Sequence, residues 1–188
     1  RNIRSTVGTT TEIYDFLRLL FARAGIAYSY VTGEPMIKMS ESQILRQIIE
    51  KFSGEKLVIL APVIKGRKGH YRELFEQIRK QGFVKARIDG EIKDILPKMQ
   101  LDRYAIHDIE IVIDRIVVSE EDKHRIAQSI QTAFRHGKGT LTMFLPEKKE
   151  DKFYSKHLMC PTSGISYDDP APNMFSFNSP YGACTECK

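Results

Sequence analysis

The sequence predicts an α/β (α+β) fold, a mixed sheet packed with about four helices and followed by an irregular, cysteine-containing tail. Three observations carry that expectation. Apolar stripes at helical spacing stand behind capping residues, β-branched runs bounded by Pro or Gly lie between them, and the C-terminal stretch is Pro-rich without periodicity. The order helix, helix, strand, helix, hairpin, strand, helix, strand sets helices against a sheet.

Taken in order, Thr9-Thr-Thr-Glu12 has capping-box spacing, and the helix behind it gathers Ile13, Phe16, Leu17, Leu20, Phe21 and Ala24 on one face before Gly25. Residues 26–35 read as a loop. Ser40-Glu-Ser-Gln43 repeats the box ahead of Ile44, Leu45, Ile48, Ile49 and Phe52. A short buried strand is expected over Lys56–Ala61, halted by Pro62. The third helix runs from about His70 to Gln81, burying Leu74, Phe75 and Ile78 and ending at Gly82. Phe83–Ile88 alternates and turns at Asp89-Gly90, a strong hairpin signal, with Glu91–Ile95 returning. His107–Val118 is a β-branched strand. The fourth helix starts at Ser119, its first turn acidic as the helix dipole favours, and buries Ile126, Ile130, Ala133 and Phe134 before Gly137. Thr140–Leu145 is the last expected strand, and the charged run Glu147–Lys152 is expected to divide the domain from the tail.

The chain has 188 residues, 41% of them hydrophobic, which suffices for one substantial domain with an appendage. No apolar run is long enough to cross a bilayer, and there is no signal-peptide pattern. Three unevenly placed cysteines do not make a disulfide framework, which favours a reducing cytoplasm. A net charge of +5 permits an acidic or nucleic-acid partner without demanding one, because 24 acidic residues are interspersed with 29 basic ones. The start at Arg1 without Met and the stop at Lys188 suggest a piece of a longer protein.

The cysteines are the most pointed chemical signal. Cys184-Thr-Glu-Cys187 is a whole C-x-x-C corner, whereas Cys160-Pro-Thr-Ser163 has a hydroxyl where a second thiolate would stand. One reading is a zinc site with ligands Cys160, Cys184 and Cys187 and a fourth from His157, Asp168, Asp169 or water. The other is a loop of reduced cysteines that has lost its metal. A nucleophilic Cys160 activated by His157 has only sequence proximity behind it. Gly66-Arg-Lys-Gly-His70, read as a basic turn entering a helix, suits an anion at free N–H groups or a solvated loop. On an alternating strand Lys85, Arg87 and Asp89 share one face, either a solvent side or a polar docking surface, and Arg115 beside Asp114 has the same two readings. Walker A, H-E-x-x-H and G-x-S-x-G patterns are absent, so the stretch reads as a binding module rather than an enzyme.

Seven stretches in order carry a resemblance: Arg4–Asp15, Leu17–Arg23, Leu60-Ala-Pro62, Gly66–Gly69, Arg87–Glu91, Ile111–Arg115 and Phe175–Pro180. Together they resemble the UvrA family, the damage-sensing ATPase subunits of the bacterial UvrABC excinuclease, from Arg1 to Lys188. The resemblance implies that residues 1–34 are a flanking helical segment of the first ATPase half, 35–150 form a UvrB-binding domain, and 151–188 form an irregular tail with a degenerate zinc knuckle. Walker A would lie upstream and the ABC signature downstream, so no ATP site or catalysis is expected on this stretch. It implies UvrB as partner, damaged DNA and a UvrA dimer through the parent, no membrane, and a cytoplasmic location. Because the family docks UvrB through a polar surface, Lys85, Arg87, Asp89 and Arg115, then Arg67 and Lys68, become expected contacts. Zinc is the cofactor in question. Family members usually complete the C-x-x-C where Ser163 stands, and many carry Cys and His ligands in the loop where this chain has Ser29 and Thr32; that second site is expected to be absent. A nucleic-acid-binding module using the basic loop and cysteine knuckle is the competing reading, and a cysteine-dependent enzyme is a third.

Overall fold

The computed structural model describes residues 6–184. A short first turn, α1 (Val7–Thr10), is closed by a reciprocal capping box between Thr6 and Thr9. The box expected at Thr9–Glu12 is therefore displaced one turn back. Glu12, left-handed at φ 62°, separates α1 from α2 (Ile13–Ala24). α2 gathers its apolar residues on one face as expected, yet none of its residues is buried. Phe16 is 70% exposed and Leu20 56%; apart from α1, the main described element packed on α2 is the short 3-10 turn Pro172–Phe175. The Phe21 and Phe175 rings lie 6.0 Å apart and Tyr14 and Phe177 5.4 Å, and the Tyr14 hydroxyl donates to the Phe175 carbonyl.

From Ser40 onward the structure is a sheet with helices on one side. Ser40 caps α3 (Glu41–Phe52) through the expected box with Gln43, and Ile44, Ile48 and Phe52 face the core. β1 spans Lys56–Lys68, twice the expected length, and runs through Pro62. Proline is tolerated there because β5 pairs with β1 only over Val58–Leu60, so the missing N–H costs no ladder bond on that side. α4 (Arg72–Lys80) buries Phe75 and Ile78 as expected but is entered through Tyr71 at φ 53°. The hairpin β2 (Lys85–Ile88) and β3 (Glu91–Asp94) turns at Asp89 and Gly90, both at positive φ (51° and 87°), the signature of a type I′ turn.

β4 (Ile106–Val117) pairs with β1 along its whole length, with Ile113 inserted as a bulge between Asp114↔Ile59 and Val112↔Leu60. α5 (Lys123–His136) begins four residues later than expected. The Ser119 hydroxyl accepts the Asp122 N–H at 3.1 Å and donates to the Asp122 carboxylate at 2.8 Å, holding that acidic stretch as a turn ahead of the helix. β5 (Thr140–Leu145) is as expected. The charged run that was to divide domain from tail instead enters β6 (Glu150–Ser155), paired residue for residue with β5. Its charges hid it, but charge is the normal dress of an edge strand. The tail is not wholly irregular: β7 (Leu158–Met159) and β8 (Ser166–Tyr167) form a small hairpin.

The strand order is β3-β2-β4-β1-β5-β6. Every described pairing is antiparallel, so the expected mixed sheet is an antiparallel one within the predicted α+β class. On the helix side Leu57, Ile59, Ala61, Ile109, Ile111, Leu141 and Met143 meet Ile44, Ile48, Phe75, Ile126, Ile130 and Phe134 in one core. The opposite side carries no described helix, yet Val58, Leu60 and Thr142 on it are buried as well. The sheet must curl over them.

Ser40→Ala removes the acceptor for the Gln43 N–H and should lower stability by about 1 kcal/mol, whereas exposed-turn substitutions such as Ser53→Ala should stay within about 0.5 kcal/mol. Urea titration of the two variants checks this.

Candidate docking surface

Alternation along the strands puts Lys85, Arg87, Glu110, Val112, Arg115, Thr142, Phe144 and Asp151 on the helix-free face. At the centre of that face Arg87 is only 8% exposed. Its Nε donates to Glu110 Oε2 at 2.5 Å and its Nη1 to Asp151 Oδ1 at 2.7 Å, and its guanidinium stands 5.2 Å from the centre of the Phe144 ring. In a flat sheet β2 and β6 would be four strand spacings, about 19 Å, apart. An arginine side chain cannot reach that far, so the contact with Asp151 exists only because the sheet rolls into a trough.

Burial pushes the Glu110 carboxyl up, with Arg87 and the Thr142 hydroxyl pulling the other way. Burial opposes the Arg87 charge too, but its hydrogen bond to Asp151 and the Glu110 charge hold the guanidinium protonated. Arg87 was expected to be a surface contact; the structure makes it the floor of the trough, with every polar end already committed. Glu110 and Asp151 were not anticipated. Glu110 becomes visible only once the register opposes it to Arg87, and Asp151 sits in the charged run taken for a linker.

The remaining expected contacts divide into two groups. Lys85 and Arg115 flank the floor on the same face. Lys85 bonds Asp94 across the hairpin at 2.5 Å, and the exposed Arg115 guanidinium has no ion-pair partner among the described residues. Its neighbour Asp114 is instead occupied by Arg125, at 2.7 and 3.0 Å, and by Ser129 at 2.8 Å, which with burial opposed leave its carboxyl below the ordinary range. Arg67, Lys68 and Asp89 gather at the other end of the sheet. Arg67 and Lys68 are exposed strand residues opposite His107 and Ile106, not a helix entry. The Gly66 N–H is given to Asp108 at 2.6 Å and so is not free for an anion.

Asp89 is structural as well as exposed. One of its oxygens accepts the Asp108 N–H at 2.9 Å and the other bonds His107 Nδ1 at 2.7 Å, while His107 Nε2 meets the Asp102 carbonyl at 2.9 Å. The Asp89 hydrogen bond, followed by that carbonyl, raises the pKa of the buried His107 above its ordinary 6.5.

The cysteines are separated by role. Cys160 is fully buried, and its hydrogen-bond partners are Thr32 at 3.3 Å, Glu34 at 3.5 Å and Ser163 at 3.4 Å. Hydrogen bonds from the Ser163 and Thr32 hydroxyls bring its pKa down to about 7. No imidazole is among those partners, which removes the basis for His157 as an activating base; the Gly139 Cα faces the His157 ring instead. Asp169 is paired with Lys38 at 2.7 Å. Cys184 is exposed, and Cys187 lies outside the described residues. Among the described residues no group of three or more His, Cys, Asp or Glu side chains could hold a metal ion.

With this geometry in hand, the comparisons with known proteins decide the family. Residues 40–147 match the family model for the UvrA interaction domain. This chain belongs to the UvrA family. It is 47% identical to UvrABC system protein A of Methanothermobacter thermautotrophicus, over 99% of the chain and 20% of that protein. It is also 47% identical to the Clostridium perfringens protein of that name, over 100% and 20%, and 45% identical to the Bacillus subtilis one, over 100% and 19%. The chain thus spans about a fifth of the UvrA relatives it matches, an internal stretch that carries the interaction domain. The matched range takes in the trough from α3 to β5 and stops just before β6, which supplies Asp151.

Two outcomes follow from this site. Arg87→Met leaves Glu110 buried without its cation and should cost about 3–5 kcal/mol in unfolding free energy, while Lys85→Glu and Arg115→Glu should each stay within about 1 kcal/mol of the parent. Chemical denaturation of the three variants separates floor from rim. The His107 pKa is raised by folding, so its stabilisation is complete below its ordinary 6.5 and is lost as pH rises through the folded value. NMR titration should place His107 above 6.5, and Asp89→Asn should bring it down and flatten the decline of melting temperature with rising pH.

Proposed function

We propose that the helix-free trough docks UvrB, with Lys85 and Arg115 as its charged rim and Asp89, Arg67 and Lys68 as a second contact zone at the hairpin end. The observation that carries this reading is the division of charge on one face. Arg87 is locked internally, whereas the Arg115 guanidinium on the same side stays uncommitted and the Lys85–Asp94 pair stays exposed. Such a surface presents charge on a rigid base. Charged rims speed association and set partner choice more than they add affinity, which suits a partner that is loaded and then released. The match to an interaction domain, and relatives named as components of a UvrABC system, support it.

In this reading the stretch is a non-catalytic adaptor in nucleotide excision repair. Nucleotide chemistry, damaged DNA and dimerisation belong to other parts of a longer UvrA protein in the cytoplasm. Among the described residues no helix is long and apolar enough to cross a membrane. The exposed apolar face of α2 is where this stretch would meet the rest of the first ATPase half.

Calorimetric titration with purified UvrB should show one-to-one binding that weakens with salt. Lys85→Glu and Arg115→Glu should each raise Kd roughly tenfold, about 1.4 kcal/mol, with the melting temperature unchanged. Unchanged affinity in both folded variants would remove the trough from consideration. Salt-dependent binding to DNA in place of UvrB would transfer the role to nucleic acid.

A further inference from the structure

Two loops far apart in sequence have the same internal hydrogen bonding. In Ser29-Tyr-Val-Thr32-Gly33 the Ser29 hydroxyl oxygen accepts the N–H groups of Val31 and Thr32, both at 3.3 Å. In Cys160-Pro-Thr-Ser163-Gly164 the Cys160 sulfur accepts the N–H groups of Thr162 and Ser163. The Gly33 N–H returns to the Ser29 carbonyl at 2.9 Å and the Gly164 N–H to the Cys160 carbonyl at 2.9 Å, with the two glycines left-handed at φ 72° and 68°. Beyond each glycine the match continues. Glu34 N–H meets Thr32 Oγ1 at 3.3 Å and Ile165 N–H meets Ser163 Oγ at 3.4 Å. Ser29 N–H meets the Glu34 carbonyl at 2.9 Å and Cys160 N–H the Ile165 carbonyl at 2.8 Å.

The heads of the two loops then meet. Thr32 Oγ1 is 3.3 Å from Cys160 Sγ, Cys160 donates to Glu34, and the Thr162 hydroxyl bonds the same carboxylate. Outside this junction, Ile37 and Met159 exchange two backbone bonds at 2.9 Å, and the Tyr167 hydroxyl accepts the Tyr30 N–H at 3.1 Å. Paired turns in which a side-chain atom collects the N–H groups two and three residues on form the scaffold of a four-ligand metal knuckle. Tetrahedral Zn²⁺, however, takes thiolate, imidazole or carboxylate at each corner. Here the four positions hold Ser29, Thr32, Cys160 and Ser163, of which three are neutral hydroxyls. The donor set does not fit zinc.

We propose that these two loops form a metal-free knuckle clasp, in which hydroxyl and thiol hydrogen bonds do the joining that four metal ligands would do, fastening the loop after α2 to the tail of the docking domain. The clasp makes the joining of these two loops indifferent to metal supply. Its test separates it from any metal held by the last two cysteines.

In a Cys184→Ser/Cys187→Ser background, purified protein should contain less than about a tenth of an equivalent of zinc, and a chelator should leave its melting temperature unmoved. Installing the missing ligands with Ser29→Cys, Thr32→Cys and Ser163→Cys should capture about one equivalent of zinc and make melting chelator-sensitive. Independently of metal, Cys160→Ala should lower the melting temperature by about 3 °C and Cys160→Ser should largely restore it, because the sulfur acts as a hydrogen-bond acceptor. Stoichiometric zinc in the first background that disappears with Cys160→Ser would overturn the proposal. So would a folded ligand-restored variant that takes no zinc, or an unmoved melting temperature in Cys160→Ala.

Discussion

The reach of Arg87 from β2 to Asp151 on β6 is the constraint on which the rest of the structure depends. A buried guanidinium must be paired on more than one side to survive loss of water, and here the second partner lies on the far edge of the sheet. Satisfying it means rolling the five strands from β2 to β6 into a trough. The roll buries Val58, Leu60 and Thr142 without any helix over them, so the sheet has an interior on both faces. Desolvation makes the arrangement costly, as the upward push on the Glu110 carboxyl records. What it supplies is geometry: one curvature satisfies all three charges, and flatter sheets leave a carboxylate or the guanidinium unpaired.

The two faces consequently do different work. The helix side is apolar and supplies most of the cohesion, with α5 laid across β1, β4 and β5 and α3 packed on α5. The other side spends its buried polar groups on shape and leaves its remaining charges at the rim. A docking surface built this way is stiff beneath and polar above. Its partner meets charges whose backbone positions are set by strand pairing rather than by loop motion.

The N-terminal segment obeys a different logic. Its helix offers an apolar face that the described chain does not cover, in a protein whose relatives are about five times longer. Aromatic contacts from Tyr14 and Phe21 to Phe177 and Phe175 tie it to the far end of the chain, and the loop pair around Ser29 and Cys160 ties the following segment to the tail. The segment before Ser40 is thus tied to the C-terminal tail through two separate sets of contacts.

Sequence by itself determined the local elements. Capping chemistry, helical stripes and the Asp89-Gly90 turn depend on neighbours within a few residues, so the cores of α3, α4 and α5 and the β2–β3 hairpin were legible from spacing alone. The ordered motifs also disclosed the family. Only the tertiary structure decided what depends on partners distant in the chain. It made α2 exposed, drew the charged run into β6, and turned Arg87 from surface contact to buried bridge. It also set Cys160 among Thr32, Glu34 and Ser163. The reason is the same in each case. Whether a charge is solvated or buried, and whether an apolar stripe is covered, is a property of strand order and curvature, and these emerge only when residues more than sixty positions apart are brought together.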